Sequence, residues 1–300
     1  MTEFDAARRA ALMEELLGIV TGKPARLLPF AEVKEELHLR RFVDRGISEV
    51  PLDRIVGTVG RQHDFTRAFL PRHESLRERW GQVTDLVAGP KGFPPVELYR
   101  VGGIYFVVDG HHRVSVARRM GLERIEARVR EFQAPVPLAP DTSIEEVMLM
   151  GGLADFLEAT GLKVESDRPD EFRATELGAY ERLLDHVTTH KYYLGIERNR
   201  PVECEEAAVS WRENVFRPMV EAIRKSGILA EFPKRTEADL YLFTMDHLHY
   251  LRQQYGRGVT EEEAVQGVRA AQPAKASAKR RTAAPRAKKG TGTTPRRRKA

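Results

Sequence analysis

The residues best suited to chemistry are Asp109-Gly110-His111-His112-Arg113. They follow Ile104 to Val108, an apolar run that reads as a strand, and precede Val114, Ala117 and Met120, which share one helical face. A strand that stops at Asp109, turns through Gly110 and opens a helix at about His112 leaves the first N–H groups of that helix without intrahelical partners. The positive end of the helix dipole points the same way, so the corner suits a phosphate. Gly110 permits a turn that a Cβ would obstruct. Arg113 can add a two-point charged contact, and the imidazoles of His111 and His112 can donate, accept or carry a proton. The competing reading is an ordinary Asp-Gly turn with His-His-Arg as a solvated first helical turn.

The elements that must position this corner surround it in sequence. Val96 to Arg100 alternates like a strand, and Val101-Gly102-Gly103 is a turn signal, so Val96–Val108 reads as a hairpin. Gly121 suits the end of the helix, and Ile125 to Val129 is a further strand. Upstream, Glu49-Val-Pro-Leu-Asp-Arg-Ile55 reads as a short first strand. A helical or looped region through Phe65, Phe69 and Trp80 follows and ends at Pro94-Pro95. Glu49, Asp53 and His111 are the candidates for acid–base work if a phosphoryl group is transferred. His186 and His190 have i, i+4 spacing but lack the Glu of a His-Glu-x-x-His zinc helix, and no metal site is assigned.

The whole stretch from Glu49 to Phe132 resembles the ParB/sulfiredoxin superfamily. The likeness lies in Val-Pro-Leu-Asp-Arg-Ile, Pro-Pro-Val-Glu-Leu-Tyr, and Val-Asp-Gly-His-His-Arg-Val-Ser-Val-Ala-Arg-Arg-Met-Gly with its following Ile-x-Ala-x-Val strand. It implies a nucleotide held by its phosphates at Asp109, Gly110, His111, His112 and Arg113. It also implies that Arg61, just past the first strand, contacts the nucleotide. The expected cofactor is a nucleoside triphosphate with Mg²⁺, its base unspecified: ParB proteins bind CTP and sulfiredoxins use ATP. An Asp-Gly-His-x-Arg form resembles a free-serine kinase group of the same superfamily. His111 stands where sulfiredoxins carry their catalytic cysteine, which excludes that thiol chemistry. His111 and His112 stand where ParB proteins have Glu and Arg, so CTP selectivity is not implied. No ParB-type helix-turn-helix follows, and the remaining helical region resembles an uncharacterised domain that accompanies such N-terminal domains.

The rest of the chain is read as mostly helical. Residues 3–20 form a helix with Leu12, Met13, Leu16, Leu17 and Val20 at helical spacing, and a second helix runs from Phe30 to Phe42. Both are expected to pack on the α/β region or on a partner subunit. Gln133 to Pro140 contains three prolines, and Ser143-Ile-Glu-Glu146 is a capping box. Helical breaks are expected near Gly151, Gly161, Asn199-Arg-Pro201, Gly227 and Pro233. Residues 190–207 repeat at 247–264 with a constant offset. The pattern is His-x-x-Tyr-Leu, a polar break, then Arg-x-Val-x-x-Glu-Glu-Ala, which predicts two like helix-turn-helix units. His190, Tyr193, His247 and Tyr250 are taken as packing positions.

The boundaries are therefore 1–48, a helical extension; 49–132, the α/β domain; 133–141, a linker; 142–271, a helical domain; and 272–300, a disordered basic tail. The fold class is an α/β ParB/sulfiredoxin-like domain, an all-α domain with an internal helix-turn-helix repeat, and that tail. The tail holds eleven of the 49 Lys and Arg residues and none of the 44 Asp and Glu, leaving the remainder with a net charge of −6. Its cations Lys279, Arg280, Arg281, Lys288, Lys289, Arg296, Arg297, Arg298 and Lys299 are the candidate nucleic-acid contacts. Hydrophobic residues at 41% and charged residues at 31% describe a globular chain without a membrane-spanning stretch. Cys204 is the single cysteine, so the expected location is cytoplasmic. The leading functional reading is a nucleotide-binding protein associated with nucleic acid, with a regulatory role and homo-oligomerisation left open. A small-molecule phosphotransferase and a non-catalytic scaffold are the alternatives. Whether the chain is an enzyme is left open, a nucleotide hydrolase or phosphotransferase being the two forms considered.

Overall fold

The computed structural model describes residues 2–87, 94–255, 258, 260 and 262–269. The chain divides into two compact units. One runs through Lys163 and adds Thr175–Glu205; the other joins Val164–Ala174 to the described residues from Glu206 onward. The tail cations from Lys279 to Lys299 lie outside the described residues, as do Arg257 and Val259 of the repeat.

The first unit is built on a six-stranded mixed sheet, in the order β1-β3-β5-β4-β6-β2. Its strands are β1 (Leu28–Pro29), β2 (Phe42–Pro51), β3 (Ile55–Thr58), β4 (Val96–Val101), β5 (Ile104–Asp109) and β6 (Arg124–Phe132). The β4–β5 hairpin is as its sequence predicts. Val101 pairs with Ile104, and the two turn residues Gly102 and Gly103 both have positive φ, at 57° and 105°. A two-residue turn with positive φ at both positions matches the twist of the flanking strands, and glycine adopts that conformation without strain.

Helices cover both faces of the sheet. On one side α1 (Glu3–Thr21), α3 (Arg77–Val87) and α4 (His111–Arg119) enclose a core of Phe4, Phe65, Phe69, Trp80, Val107 and Val114. On the other side α2 (Phe30–Glu36) and α5 (Ile144–Thr160) enclose Phe30, Val33, Phe106, Phe132 and Val147. The helix α6 (Ala179–Arg198) follows α5, with Phe156 and Tyr180 rings 6.3 Å apart.

Several boundaries differ from the sequence reading. The second helix stops at Glu36, and Phe42 opens β2, which pairs with β6 from Phe42↔Phe132 to Pro51↔Arg124. Residues 42–48 therefore belong to the sheet and not to a helical extension. Their pattern is almost entirely exposed because β2 is an edge strand, so no apolar alternation announced it. Glu49–Ile55 is the end of β2, a 3₁₀ turn at Leu52–Arg54 and the start of β3. The segment 133–141 is irregular but tied down: Leu138 is buried and donates its N–H to Gly102 O, and Arg67 donates to Pro140 O. Both α5 and α6 group with the first unit, so the compact units divide beyond the linker. Gly151 lies inside α5, where a Cβ would run into the Glu36 carbonyl of α2; close helix packing, not a break, explains that glycine. The breaks at Gly161, Asn199 and Gly227 are present, each a left-handed helix cap.

The second unit contains α7 (Cys204–Trp211, from Glu206), a π-helical turn (Arg212–Phe216), α8 (Arg217–Ser226) and α9 (Glu237–Tyr255). Phe172, Trp211, Phe216 and Tyr241 form its aromatic centre, with Trp211 Nε1 donating to Tyr241 Oη at 3.1 Å. Arg217 ties three carboxylates, Glu165, Glu171 and Glu213, at 2.6–2.8 Å. At the matched columns of the repeat, Ala207 and Ala264 are both fully buried, and Tyr193 and Tyr250 are 64% and 52% exposed. The tyrosines are therefore not the packing positions their spacing suggested. Among the described residues, no helix is long and apolar enough to cross a membrane.

Candidate functional site

The corner forms where β5 ends. Gly110 has φ 100°, a left-handed conformation, and serves as the N-cap of α4 without any side-chain cap. Its missing Cβ matters twice: the conformation favours glycine, and a Cβ would lie 2.5 Å from Val96 Cγ1. The first backbone bond of the helix runs from Val114 N–H to Gly110 O at 2.9 Å. The N–H groups of His111, His112 and Arg113 thus sit in the turn that an α-helix leaves without internal acceptors. They lie at the carboxyl end of β5, beside the carboxyl end of its parallel neighbour β3. Such strand ends are where open α/β sheets place ligands.

His111 turns inward. It is 5% exposed, its Nε2 is 2.7 Å from Thr58 Oγ1, and its ring stacks on Phe65 at 6.1 Å. Burial, with the positive charge of Arg61 in support, pulls its pKa down to about 4. At neutral pH it is uncharged and shares a single hydrogen with the Thr58 hydroxyl. That hydroxyl also accepts the backbone N–H of Arg61 at 3.2 Å. His111 therefore anchors the loop after β3 to the start of α4.

His112 meets the edge of Phe65 at 5.4 Å and is likewise pulled down to about 4, by burial first and then by Arg61 and Arg79. Its Nδ1 is buried without a hydrogen-bond partner among the described residues. Arg61 is the half-exposed cation of the group: its side chain is 48% exposed and its one ion pair among the described residues, to Asp64, is 3.4 Å long. Its charge contributes to lowering the pKa of both histidines.

Arg113 is committed differently. Its Nη1 donates to the carbonyls of Pro94 and Pro95, both at 2.8 Å, and its Nη2 to Asp109 Oδ2 at 2.5 Å. In this state it holds the approach to β4 against the corner rather than presenting an open fork. Asp109 remains 72% exposed despite that ion pair. Glu49 and Asp53 are not brought to the corner. They lie where Pro51 pairs with Arg124 and where Arg118, at the other end of α4, donates to Leu52 O and Ile55 O.

The sequence reading missed the groups that build the site's floor. Thr58 lies only three residues before Arg61, but nothing local marks it as the partner of His111. Trp80 Nε1 donates to Ser115 Oγ at 3.0 Å, fixing α3 against α4. Phe69 is fully buried with φ 60°, a conformation that costs a non-glycine residue about 1–3 kcal/mol. It packs between the His111 ring, 6.4 Å away, and the Arg118 guanidinium, 5.3 Å above its face. Burial lowers the pKa of both Arg67 and Arg118 to about 10; their Nη groups donate to backbone carbonyls of the surrounding loops, while the Nε of each is buried without a partner among the described residues. Among the described residues no group of three or more His, Cys, Asp or Glu is placed to hold a metal.

No protein-family model and no curated protein matches the chain. Among the solved structures that match in part are two of known type. Sulfiredoxin from Arabidopsis thaliana is 21% identical, covering 29% of this chain and 86% of its own, with a TM-score of 0.22. A Pnob8-like ParB-N domain is 11% identical, covering 76% of this chain and 80% of its own, with a TM-score of 0.20. At those TM-scores neither structure decides the fold or the activity; what the chain itself presents is a mixed α/β sheet domain with a helical region beyond it.

Proposed function

We propose that the chain binds a nucleoside triphosphate through its phosphates at Asp109–Arg113, and that it associates with nucleic acid through its basic tail. The observation that carries the first half is the uncapped start of α4, delivered by left-handed Gly110 to the end of β5. The backbone N–H groups of His111, His112 and Arg113 supply neutral donors to phosphate oxygens, and Arg61 swings in as the counter-charge. The partnerless Nδ1 of His112 is a further polar group that a ligand would satisfy. Mg²⁺ bound with the nucleotide would neutralise the phosphate charge that one arginine cannot, and the exposed Asp109 carboxylate is the acidic group of the corner that would face it. Arg113 keeps the corner in shape from its place on the Pro94 and Pro95 carbonyls.

The tail reading rests on charge: eleven cations without an acid displace counterions from a polyanion, whereas the remainder of the chain is net negative. The test of the first half is calorimetric titration with ATP, CTP, GTP and UTP in the presence of Mg²⁺. Saturable binding of at least one is expected. Assay of the same samples for nucleoside diphosphate separates a binder from a hydrolase. If none binds at millimolar concentration, the nucleotide reading is wrong.

A further inference from the structure

Helix α1 is amphipathic the wrong way round. Its buried residues are Phe4, Ala7 and Ala11, which lie on one side of the helix. Leu12, Met13, Leu16, Leu17, Ile19 and Val20 face the other side and are 55–84% exposed. The charged residues, in contrast, are held by the protein itself. Glu3 pairs with Arg119, Asp5 with Arg77, Arg8 with Glu74 and Glu15 with Arg72, while Glu14 accepts from Thr66 Oγ1 and Ala68 N–H. Those bonds fix the helix in orientation, so the leucines do not face outward through a loose docking. A helix that uses its polar groups on its own body and turns six large apolar side chains to water has a surface made for something else to cover.

We infer that this stripe is a homotypic interface, with α1 of one chain packing on α1 of a second copy. Three observations favour a second copy. First, the segment 270–300 is not suited to cover the stripe, since it contains no Leu, Ile, Val, Met or aromatic residue. Second, the stripe from Leu12 to Val20 presents no charge of its own, since Glu14 and Glu15 are turned aside into the bonds above. A patch of Leu, Met, Ile and Val is complementary to itself, which a twofold contact demands. Third, six such side chains expose on the order of 100 Å² each, about 600 Å² together. That stands at the top of the ~300–600 Å² range for the largest patch of a monomer and is about three quarters of the ~800 Å² per partner of a stable interface. A membrane surface is a poorer occupant. The helix carries Glu3, Asp5, Glu14 and Glu15 against Arg8 and Arg9, the opposite of the basic face that anionic lipid attracts.

The test is sedimentation equilibrium on the full chain at 1–100 µM (a range chosen as about the affinity of interfaces this size), for wild type, Leu16→Glu and Val20→Glu. The wild type should sediment at about twice the 34.0 kDa chain mass, and each glutamate should raise the dimer dissociation constant at least tenfold. Both side chains are more than half exposed in the single chain, at 59% and 84%, so circular dichroism melts of dilute variants should match the monomeric wild type. Should a glutamate variant fail to fold, Leu16→Gln and Val20→Gln are measured in its place against the same outcomes. A wild type that is monomeric at the highest concentration, or a dimer indifferent to both substitutions, overturns the inference. Neither result bears on nucleotide binding, since no residue of the stripe belongs to the corner.

Discussion

Replacing His111 by glutamine tests whether the corner is held by a buried neutral imidazole. Glutamine can keep a hydrogen bond to Thr58 Oγ1 but does not titrate. In the folded chain the His111 pKa is lowered from 6.5 to about 4, first by burial and then by Arg61. The unfolded chain therefore binds the extra proton at a higher pH than the folded one. The stability this group contributes is fully present above about pH 6.5 and is lost as pH falls toward 4. Between pH 7.5 and 5 the loss through His111 alone comes to about 2 kcal/mol. His112 adds a loss in the same direction, discounted because its ring is less buried. Urea unfolding of both proteins across pH 4.5–7.5 (the interval in which histidine titrates) isolates the His111 part, because every other group is common to the two. The stability gap between wild type and His111→Gln should move by about 2 kcal/mol toward the variant on acidification from pH 7.5 to 5. A gap constant to within about 0.5 kcal/mol would refute the buried neutral histidine and, with it, the account of how the loop after β3 is anchored.

Four further outcomes are expected. Arg61→Ala should weaken nucleotide binding about tenfold while leaving the melting temperature nearly unchanged, because the side chain is half exposed and makes one long ion pair. The same variant should raise the titration midpoints of both His111 and His112 in NMR, since Arg61 lowers each of them; unmoved midpoints would place Arg61 away from the corner. Gly110→Ala should cost about 2 kcal/mol in urea unfolding, from the left-handed backbone and the contact with Val96. A chain ending at Ala271 should lose most of its non-specific DNA binding in mobility shifts, and the full chain's affinity should fall steeply with salt; equal binding by both would dismiss the tail as the contact.

Much of the corner was legible because its determinants are local. Asp109 stopping a strand, Gly110 turning and a helix opening within the next two residues are read from neighbours in sequence, as are the Gly102-Gly103 hairpin and the Ser143–Glu146 capping box. Of the helical face expected at Val114, Ala117 and Met120, the first two are fully buried, but Met120 is 51% exposed because α4 has ended there. Arg61 was reached through a resemblance, and its spacing alone would not have singled it out.

The sequence by itself determined where the backbone must turn, which residue could turn it, and how charge is shared between the body and the tail. Only the tertiary structure decided what each side chain answers to. Arg113, at home on a phosphate by its type, is drawn to carbonyls 18 and 19 residues away. His111 is made neutral by burial against two phenylalanines and by the charge of Arg61, and its ring nitrogen is bonded to a threonine 53 residues upstream. The strand over 42–51 exists because a partner at 124–132 supplies its hydrogen bonds, with no apolar alternation of its own. The leucines of α1 read as a core face and stand in water, because Phe4, Ala7 and Ala11 offer the sheet a closer-fitting side of the same helix. Local pattern fixes the conformations a segment can take. Burial, pKa and partner choice depend on desolvation by residues far along the chain, and those terms do not exist until the chain has folded.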